Sequence, residues 1–552
     1  MSSDDLSSLV EGLTNGHLSR RQFLLRAAAL GVSFSTAGAI LSACGGSSAS
    51  SSSASPTAAP ATVAAFKMRS DLDMANVDPA FWVSHVDAAI GDAVYEGLVS
   101  FKPGTWDIAN TLADTFEPSS DNLRYHFTLK QGVPYHKGYG EITAQDVKFS
   151  FERIAGLSKP NLHAVYQADW DALESVQVNG KYEGTIVLKR PFAPLMLSTL
   201  PVMSGKVLSQ KAVETLGKQF ATHPIGTGPY EFASWVPKQQ VTLQRFADYG
   251  GANSAYAAKV QADKILVMPI SSDTAALNAL LAGDVDIGVV GTENLKQVQG
   301  DSSLSLHKAP TQSYYWMAMN VLDPQLSNIN LRKAIRAAID VPSIISAAYN
   351  GAFQQAYAII PPSMSVGYWP QAPHYTQDPT QAKSYLSQSG LKNVSLKLTV
   401  LSDQVDQTVA QVIQSNLASI GIKVTIEPED AGTFYAIPGA GGGGKNRQLV
   451  YSEYSTEPDP SWSFVWWTSA QKNQWNWNNW YNTKFDSFLS QALVESEPAK
   501  RTALYIQAQQ LWDAEASMVW IAYITRYLAG KKQITPSIRP DGQEIIWNYK
   551  EA

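Results

Sequence analysis

The chain has 552 residues, 45% of them apolar and only 16% charged. It is long enough for two to four domains or lobes with sizeable cores, and too rich in aromatics for a disordered chain. Its 42 Lys and Arg against 48 Asp and Glu leave a net charge of −6, so there is no basic excess to engage nucleic acid.

The only cysteine, Cys44, rules out an internal disulfide and a multi-cysteine zinc site. Its setting gives it another role. Ser19-Arg20-Arg21-Gln22-Phe23-Leu24 opens an apolar run to Ala43 and looks like a twin-arginine export signal, with Arg20 and Arg21 as the paired arginines. Leu41-Ser42-Ala43-Cys44 resembles the lipobox of bacterial lipoproteins, in which the cysteine is acylated and becomes the first residue. An ordinary membrane span is the alternative, and Arg26 inside the run argues against it. Residues 1–43 thus read as a signal peptide, and the Ser/Ala/Pro/Thr-rich residues 44–65 as a flexible tether.

Further along, Tyr125–Leu129 reads as a strand in a turn-rich region. Two stretches read as strand–helix–strand. In the first, Ile265–Met268 is followed by a helix over Ser271–Ala282, closed by Gly283, and then by Val285–Ile287. Leu331–Ile339 marks an amphipathic helix, and another ends before Gly390. In the second unit, alternating Leu396, Leu398 and Val400 precede Val409, Val412, Ile413, Leu417 and Ile420 at helical spacing. Gly421 and alternating Ile422, Val424 and Ile426 follow. Each unit implies parallel strands joined by a crossover, and their separation suggests two α/β lobes rather than one sheet.

Catalytic motifs are absent or incomplete. There is neither G-x-S-x-G nor H-E-x-x-H, and the eight histidines are scattered with no metal-ligand spacing. Gly439–Asn446 approaches a phosphate-binding loop, but Asn446 stands where the hydroxyl for magnesium is needed. Gly226-Thr227-Gly228 leads into Pro229-Tyr230 rather than into a helix, so a dinucleotide fingerprint is refused. Aromatic clusters remain: Tyr314-Tyr315-Trp316; Trp462, Trp466 and Trp467; and Trp475, Trp477, Trp480 and Tyr481 interleaved with asparagines. Aromatic faces with amide hydrogen-bonders suit a polar organic ligand, and core packing is the competing explanation.

A set of collinear strings identifies a resemblance. Asn76-Val77-Asp78-Pro79-Ala80, Tyr95-Glu96-Gly97-Leu98, Ile142-Thr143-Ala144-Gln145-Asp146-Val147-Lys148-Phe149-Ser150-Phe151, Pro224–Tyr230 and Leu281–Asp286 occur in order, followed by Leu331–Ile335 and Ile420–Val424. Together they resemble the family-5 extracytoplasmic solute-binding proteins of ABC importers, the peptide, dipeptide and nickel type. The resemblance implies an α/β fold of two lobes with a hinge and an extra inserted subdomain, closing on a solute without making or breaking a bond. Lobe I is placed at 66–312 with the insertion at 98–215 and a return at 520–552, and lobe II at 313–519.

The implied partners are a peptide or small-molecule ligand, the permease subunits and, through Cys44, the membrane. A monomer with no cofactor and no metal is expected, exported and facing the periplasm or cell exterior. Tyr314, Trp316, Asn320, Tyr435, Glu453, Glu457, Asp459, Trp466 and Trp467 are the candidate ligand-binding residues, with Trp316, Trp466 and Trp467 expected on the cleft wall. In dipeptide binders of this family an aspartate holds the ligand amine and an arginine its carboxylate. Here the aspartate position falls near Thr456, and Leu398–Val409 carries Asp403 and Asp406 but no arginine. Glu453, Glu457 or Asp459 could take the amine, and weak binding of free dipeptides is expected. An oligosaccharide, opine or amine conjugate is the alternative solute. An exported glycosidase using Glu453 with Glu457 or Asp459 is the alternative from another class.

Overall fold

The computed structural model describes residues 64–82, 84–158, 162–249, 262–435, 446–454 and 457–551. The signal peptide, Cys44, Thr456 and the Gly-rich run 439–445 lie outside the described residues.

The first lobe is built on the strand Phe66–Ser70, which is buried along nearly its whole length and pairs in parallel with Lys264–Pro269 on one side and Ile287–Val289 on the other. The first strand–helix–strand unit is present, with the helix Asp273–Ala282 capped by the Ser272 hydroxyl and ended by Gly283 at φ 80°. Its two strands are not neighbours, because the N-terminal strand lies between them. The second strand begins later than its apolar pattern suggests, since the amides of Asp284 and Val285 still bond the carbonyl of Ala279 in the helix. Gly226 and Gly228 let their loop press on the end of the helix His85–Val94: a Cβ on Gly226 would lie 2.0 Å from the Val94 carbonyl oxygen.

Within the first lobe sits a separate four-stranded antiparallel sheet, in the order Ala113–Pro118, Arg124–Leu129, Glu183–Leu188 and Leu173–Gly180. The string from Ile142 to Phe151 forms the helix Ala144–Ile154 beside it. Its Thr143 and Asp146 make a capping box, and the Ser150 hydroxyl accepts the Leu208 amide. From the same helix Arg153 makes a two-pronged ion pair with Asp78, at 2.9 and 2.6 Å, with both side chains buried. The Asn76–Ala80 string therefore ties the N-terminal segment to the inserted sheet.

The second lobe has the expected parallel pair Ser395–Leu401 and Lys423–Glu429, joined by the helix Gln404–Ser419, with Gly421 at φ 91° after it. One face of this sheet packs a core containing Leu331, Ile335, Ile344, Val409 and Ile413. The other packs an aromatic core with Trp316, Phe464, Trp467, Trp477, Tyr505 and Trp512.

The lobes are not separate sheets. Two long antiparallel strands, Leu304–Met319 and Met518–Lys531, join the strands of both into one hydrogen-bonded path. Local hydrophobic pattern shows where strands are, whereas the length of these two decides that the path is continuous. Their pairing breaks between Pro310–Thr525 and Tyr314–Tyr523, so Thr311, Gln312 and Ser313 oppose Ile524 alone. Such a bulge bends the pair and re-aims side chains. The expected boundary at 312/313 falls inside it.

Candidate functional site

The bulge opens onto a cavity of about 340 Å³, within the range of small-molecule sites. Three parts of the chain form its wall. The first lobe supplies Trp82, His85, Asp92, Tyr166, Met203 and Arg539, the crossing strands Thr311, Ser313 and Arg526, and the second lobe Glu457 and Trp462. The helix His85–Val94, capped by the Ser84 hydroxyl, carries His85, Ala88 and Asp92 on one cavity-facing side at spacings of three and four.

One side of the cavity is aromatic. Trp82 stacks on Tyr166 at 4.8 Å and 6°, and Tyr166 stacks in turn on Trp462 of the second lobe at 6.3 Å. The Tyr166 hydroxyl donates to the Trp82 carbonyl. Trp462 meets Trp466 edge-on at 5.4 Å, so Trp466 stands behind the wall.

The other side is charged, and most of its charges are neutralised within the protein. Arg539 holds Asp541 through contacts of 2.6 to 2.9 Å, Lys206 pairs with Asp92 at 2.6 Å, and His85 bonds Asp71 at 2.9 Å. Burial pushes the Asp71 carboxyl up, but the bond to His85 and the charges of His85, Arg69 and Arg526 outweigh it and hold the group well below the carboxylate range. Two groups are left over. Glu457 has no ion-pair partner within 4.0 Å among the described residues. Burial raises its carboxyl to about 8, with Asp541, Asp169 and Asp92 adding to the effect and Arg539 opposing it. Arg526 donates to the Gly542 carbonyl at 3.1 Å and has no carboxylate within 4.0 Å among the described residues.

Of the residues singled out from the sequence as ligand-binding, only Glu457 lines this cavity. Tyr314, Trp316 and Trp467 are buried in the aromatic core, where the Trp467 indole donates to the Tyr314 hydroxyl at 3.0 Å. Trp316 and Trp467 therefore form no cleft wall, and Trp82 and Trp462 do. Asp459 is wholly buried in a two-pronged ion pair with Arg501, at 2.7 and 2.9 Å, and is not available to a ligand. Asn320 is buried too: its side-chain amide donates to the Arg447 carbonyl and its oxygen accepts from Asn479. The asparagine-rich run is scaffold for the same reason. Asn476 donates to the carbonyls of Trp467, Thr468 and Trp480, and Asn478 to the Ser517 hydroxyl. A poor core composition is accommodated here because the buried side-chain N–H groups of Asn476 and Asn478 find acceptors.

Tyr435 is 38% exposed on the second lobe. Glu453, paired with Tyr315 near the end of the strand Leu449–Tyr454, is raised by burial, with Arg526 opposing and Asp403 reinforcing. Asp406 is raised to about 8 by burial and by Asp403 and Glu453. Sequence reasoning missed Trp82, Tyr166 and Arg526. The one visible signal was the polar pair Thr525-Arg526 inside an otherwise apolar strand.

No group of three or more metal-ligating side chains occurs among the described residues. His136 is buried against the Gly226–Gly228 loop, bonded to the Gly228 carbonyl and the Gly226 amide, and burial lowers it to about 4.

Residues 107–488 match the profile of the bacterial extracellular solute-binding proteins, family 5. The chain belongs to this family. Among curated family members it is 26% identical over 478 residues to the glutathione-binding protein GsiB of Shigella flexneri serotype 5b, covering 83% of this chain and 89% of that one. It is 27% identical over 469 residues to the dipeptide-binding protein of Escherichia coli K12, covering 80% and 85%. The fold matches the binding protein DppA from Helicobacter pylori in complex with the peptide STSA, with a TM-score of 0.76 at 24% identity over 89% of this chain and 98% of that one. It also matches AgaA from A. tumefacien R10 in complex with agropinic acid, with a TM-score of 0.72 at 21% identity over 88% and 99%. The fold is thus the two-lobe α/β fold of periplasmic binding proteins with the extra subdomain. As a family-5 protein the chain is the extracytoplasmic substrate-binding component of an ABC importer and not an enzyme, which removes the glycosidase reading.

Proposed function

We propose that this protein captures a peptide or similar amine-bearing polar solute in the 340 Å³ cavity and presents it to the permease subunits of its importer. The observation that carries the reading is Glu457, a carboxyl with no counter-ion among the described residues, on the wall of a cavity framed by both lobes and rimmed by Trp82, Tyr166 and Trp462. A carboxylate beside aromatic faces suits an ammonium group, through an ion pair and cation–π attraction. Relatives that bind glutathione and a dipeptide, and a structural neighbour holding an opine, support amine-bearing or amino-acid-derived solutes.

Because Tyr166 and Trp462 meet across the lobes, closure and aromatic environment are coupled. Adding a bound peptide should reduce the radius of gyration in small-angle scattering and change tryptophan fluorescence. The fluorescence change should be lost in Trp82→Phe/Trp462→Phe but retained in Trp316→Phe. Binding with no change in compactness, or a signal that depends on Trp316, would count against this cleft as the site.

Anchoring at Cys44 and export through Arg20 and Arg21 belong to the same proposal. They are supported by the position of the single cysteine and by an extracytoplasmic family. Cys44→Ala should move the protein from the membrane to the soluble fraction with its melting behaviour unchanged, since two acyl chains anchor stably where one is marginal. Arg20→Lys/Arg21→Lys should leave unexported precursor in the cytoplasm. A membrane-bound Cys44→Ala variant would overturn the anchor.

A further inference from the structure

Besides the Glu457 carboxyl, the cavity wall carries a cation with no carboxylate within 4.0 Å among the described residues. Arg526 lies on the crossing strand Met518–Lys531, beside the bulge that turns Thr311 and Ser313 towards the cavity. Its guanidinium spends one N–H on the Gly542 carbonyl at 3.1 Å. It favours the charged forms of Asp71 and Glu453 through space, yet lies within 4.0 Å of neither. The neighbouring cations differ: Arg539 is taken by Asp541 and Lys206 by Asp92. Among the described residues, Arg526 is the cation of this wall whose planar fork has no carboxylate within 4.0 Å, and that fork matches a carboxylate.

Resting on the reading of this cavity as the solute site, we propose that Arg526 anchors a carboxylate of the solute. Together with Glu457 it would select compact zwitterions, small molecules carrying an ammonium and a carboxylate on one short frame. Size supports the same class. Both charged groups border one space of about 340 Å³, so the two ends of the solute are held inside it and a long extended peptide is disfavoured. Leu72, Ala88, Val202 and Met203 give the wall an apolar stretch beside the tryptophans, which suits an apolar side chain between the charged ends. The expectation of weak dipeptide binding rested on Thr456 in place of the amine-holding aspartate and on the absence of an arginine in Leu398–Val409. An arginine borders the cavity from the crossing strand Met518–Lys531 instead.

Calorimetry on the purified full-length chain tests this with four probes: Gly-Leu, Gly-Leu amide, N-acetyl-Gly-Leu and glutathione. Native mass spectrometry of any solute retained through purification accompanies it. Gly-Leu or glutathione should bind, and Gly-Leu amide should bind roughly 30-fold more weakly than Gly-Leu, the scale of losing one partner of a buried charge pair. Arg526→Gln should erase that difference while keeping the donor to Gly542, and Arg526→Lys should restore part of it. Circular dichroism and melting profiles confirm that the variants are folded. An unchanged preference for the free carboxylate in folded Arg526→Gln would overturn the role of Arg526. A retained solute that has no carboxylate, or failure of every zwitterion to bind, would overturn the zwitterion class. Cleft closure on the retained solute, read by scattering, would show that the underlying reading of the cavity still stood.

Discussion

Asp459→Ala is expected to destabilise the second lobe by about 3–5 kcal/mol, the scale of breaking a buried pair from one side. Arg501 would be left with its side chain 3% exposed and no anion, retaining only the Ala492 carbonyl and the Tyr505 hydroxyl. The substitution also removes a cap, because Asp459 accepts the Ser461 amide at the start of the helix Pro460–Val465. That helix carries Trp462, so the wall of the cavity loosens with it. Hydrogen exchange is the suitable measurement, since a two-lobe protein need not unfold in one step. Protection should fall in 460–513 and persist in the sheet around Phe66–Ser70. Replacing both partners by apolar residues, Asp459→Leu with Arg501→Met, should recover much of the loss, because no charge is then stranded. Equal protection in wild type and Asp459→Ala would show that the pair contributes little.

Affinity for an amine-bearing solute is expected to rise steeply with pH up to about 8. Glu457, raised to about 8, is mostly protonated at pH 7 and must ionise to meet an ammonium. Below that value each unit of pH should change affinity about tenfold, and binding at pH 7 should release about one proton. Above it the gain ends, and the solute's own α-amine begins to lose its charge at about 8. Glu457→Gln should flatten the acid limb. Calorimetry in two buffers of different ionisation enthalpy reads the proton directly, and a pH-independent affinity in wild type would refute the assignment.

The same raised groups act on folding with the opposite trend. Glu457 and Asp406, each lifted to about 8, keep protons in the fold that the unfolded chain has released. Their contribution is complete below the ordinary carboxyl values and is lost as pH rises through about 8. The ligand-free protein should therefore melt at a lower temperature at pH 8 than at pH 5, and bound solute should narrow the gap.

Much of the architecture was legible because it is local. Ser272 and Gly283 bracket one helix, and Thr143 with Asp146 cap another. Alternating Leu396, Leu398 and Val400 form a strand, and that periodicity depends on neighbours along the chain. The collinear strings did the same for the family, and one of them, around Asp78, proved to be half of a buried ion pair with Arg153.

The site was hardly legible, because its members come from separated segments and are chosen by what surrounds them. Asp459 and Glu457 are two residues apart, yet one is satisfied by Arg501 and the other faces a cavity with no counter-ion among the described residues. Trp316 and Trp462 are the same residue type, but strand pairing drives the first into the aromatic core and a helix start leaves the second on the cleft wall. Arg526 looked like one polar interruption in an apolar strand until a bulge and the partner strand placed it at the cavity. The elements and the family were readable along the chain, since these rest on short-range pattern and on strings in a fixed order. Which charges were already neutralised could be read only from the folded chain, because neutralisation depends on residues tens to hundreds of positions away.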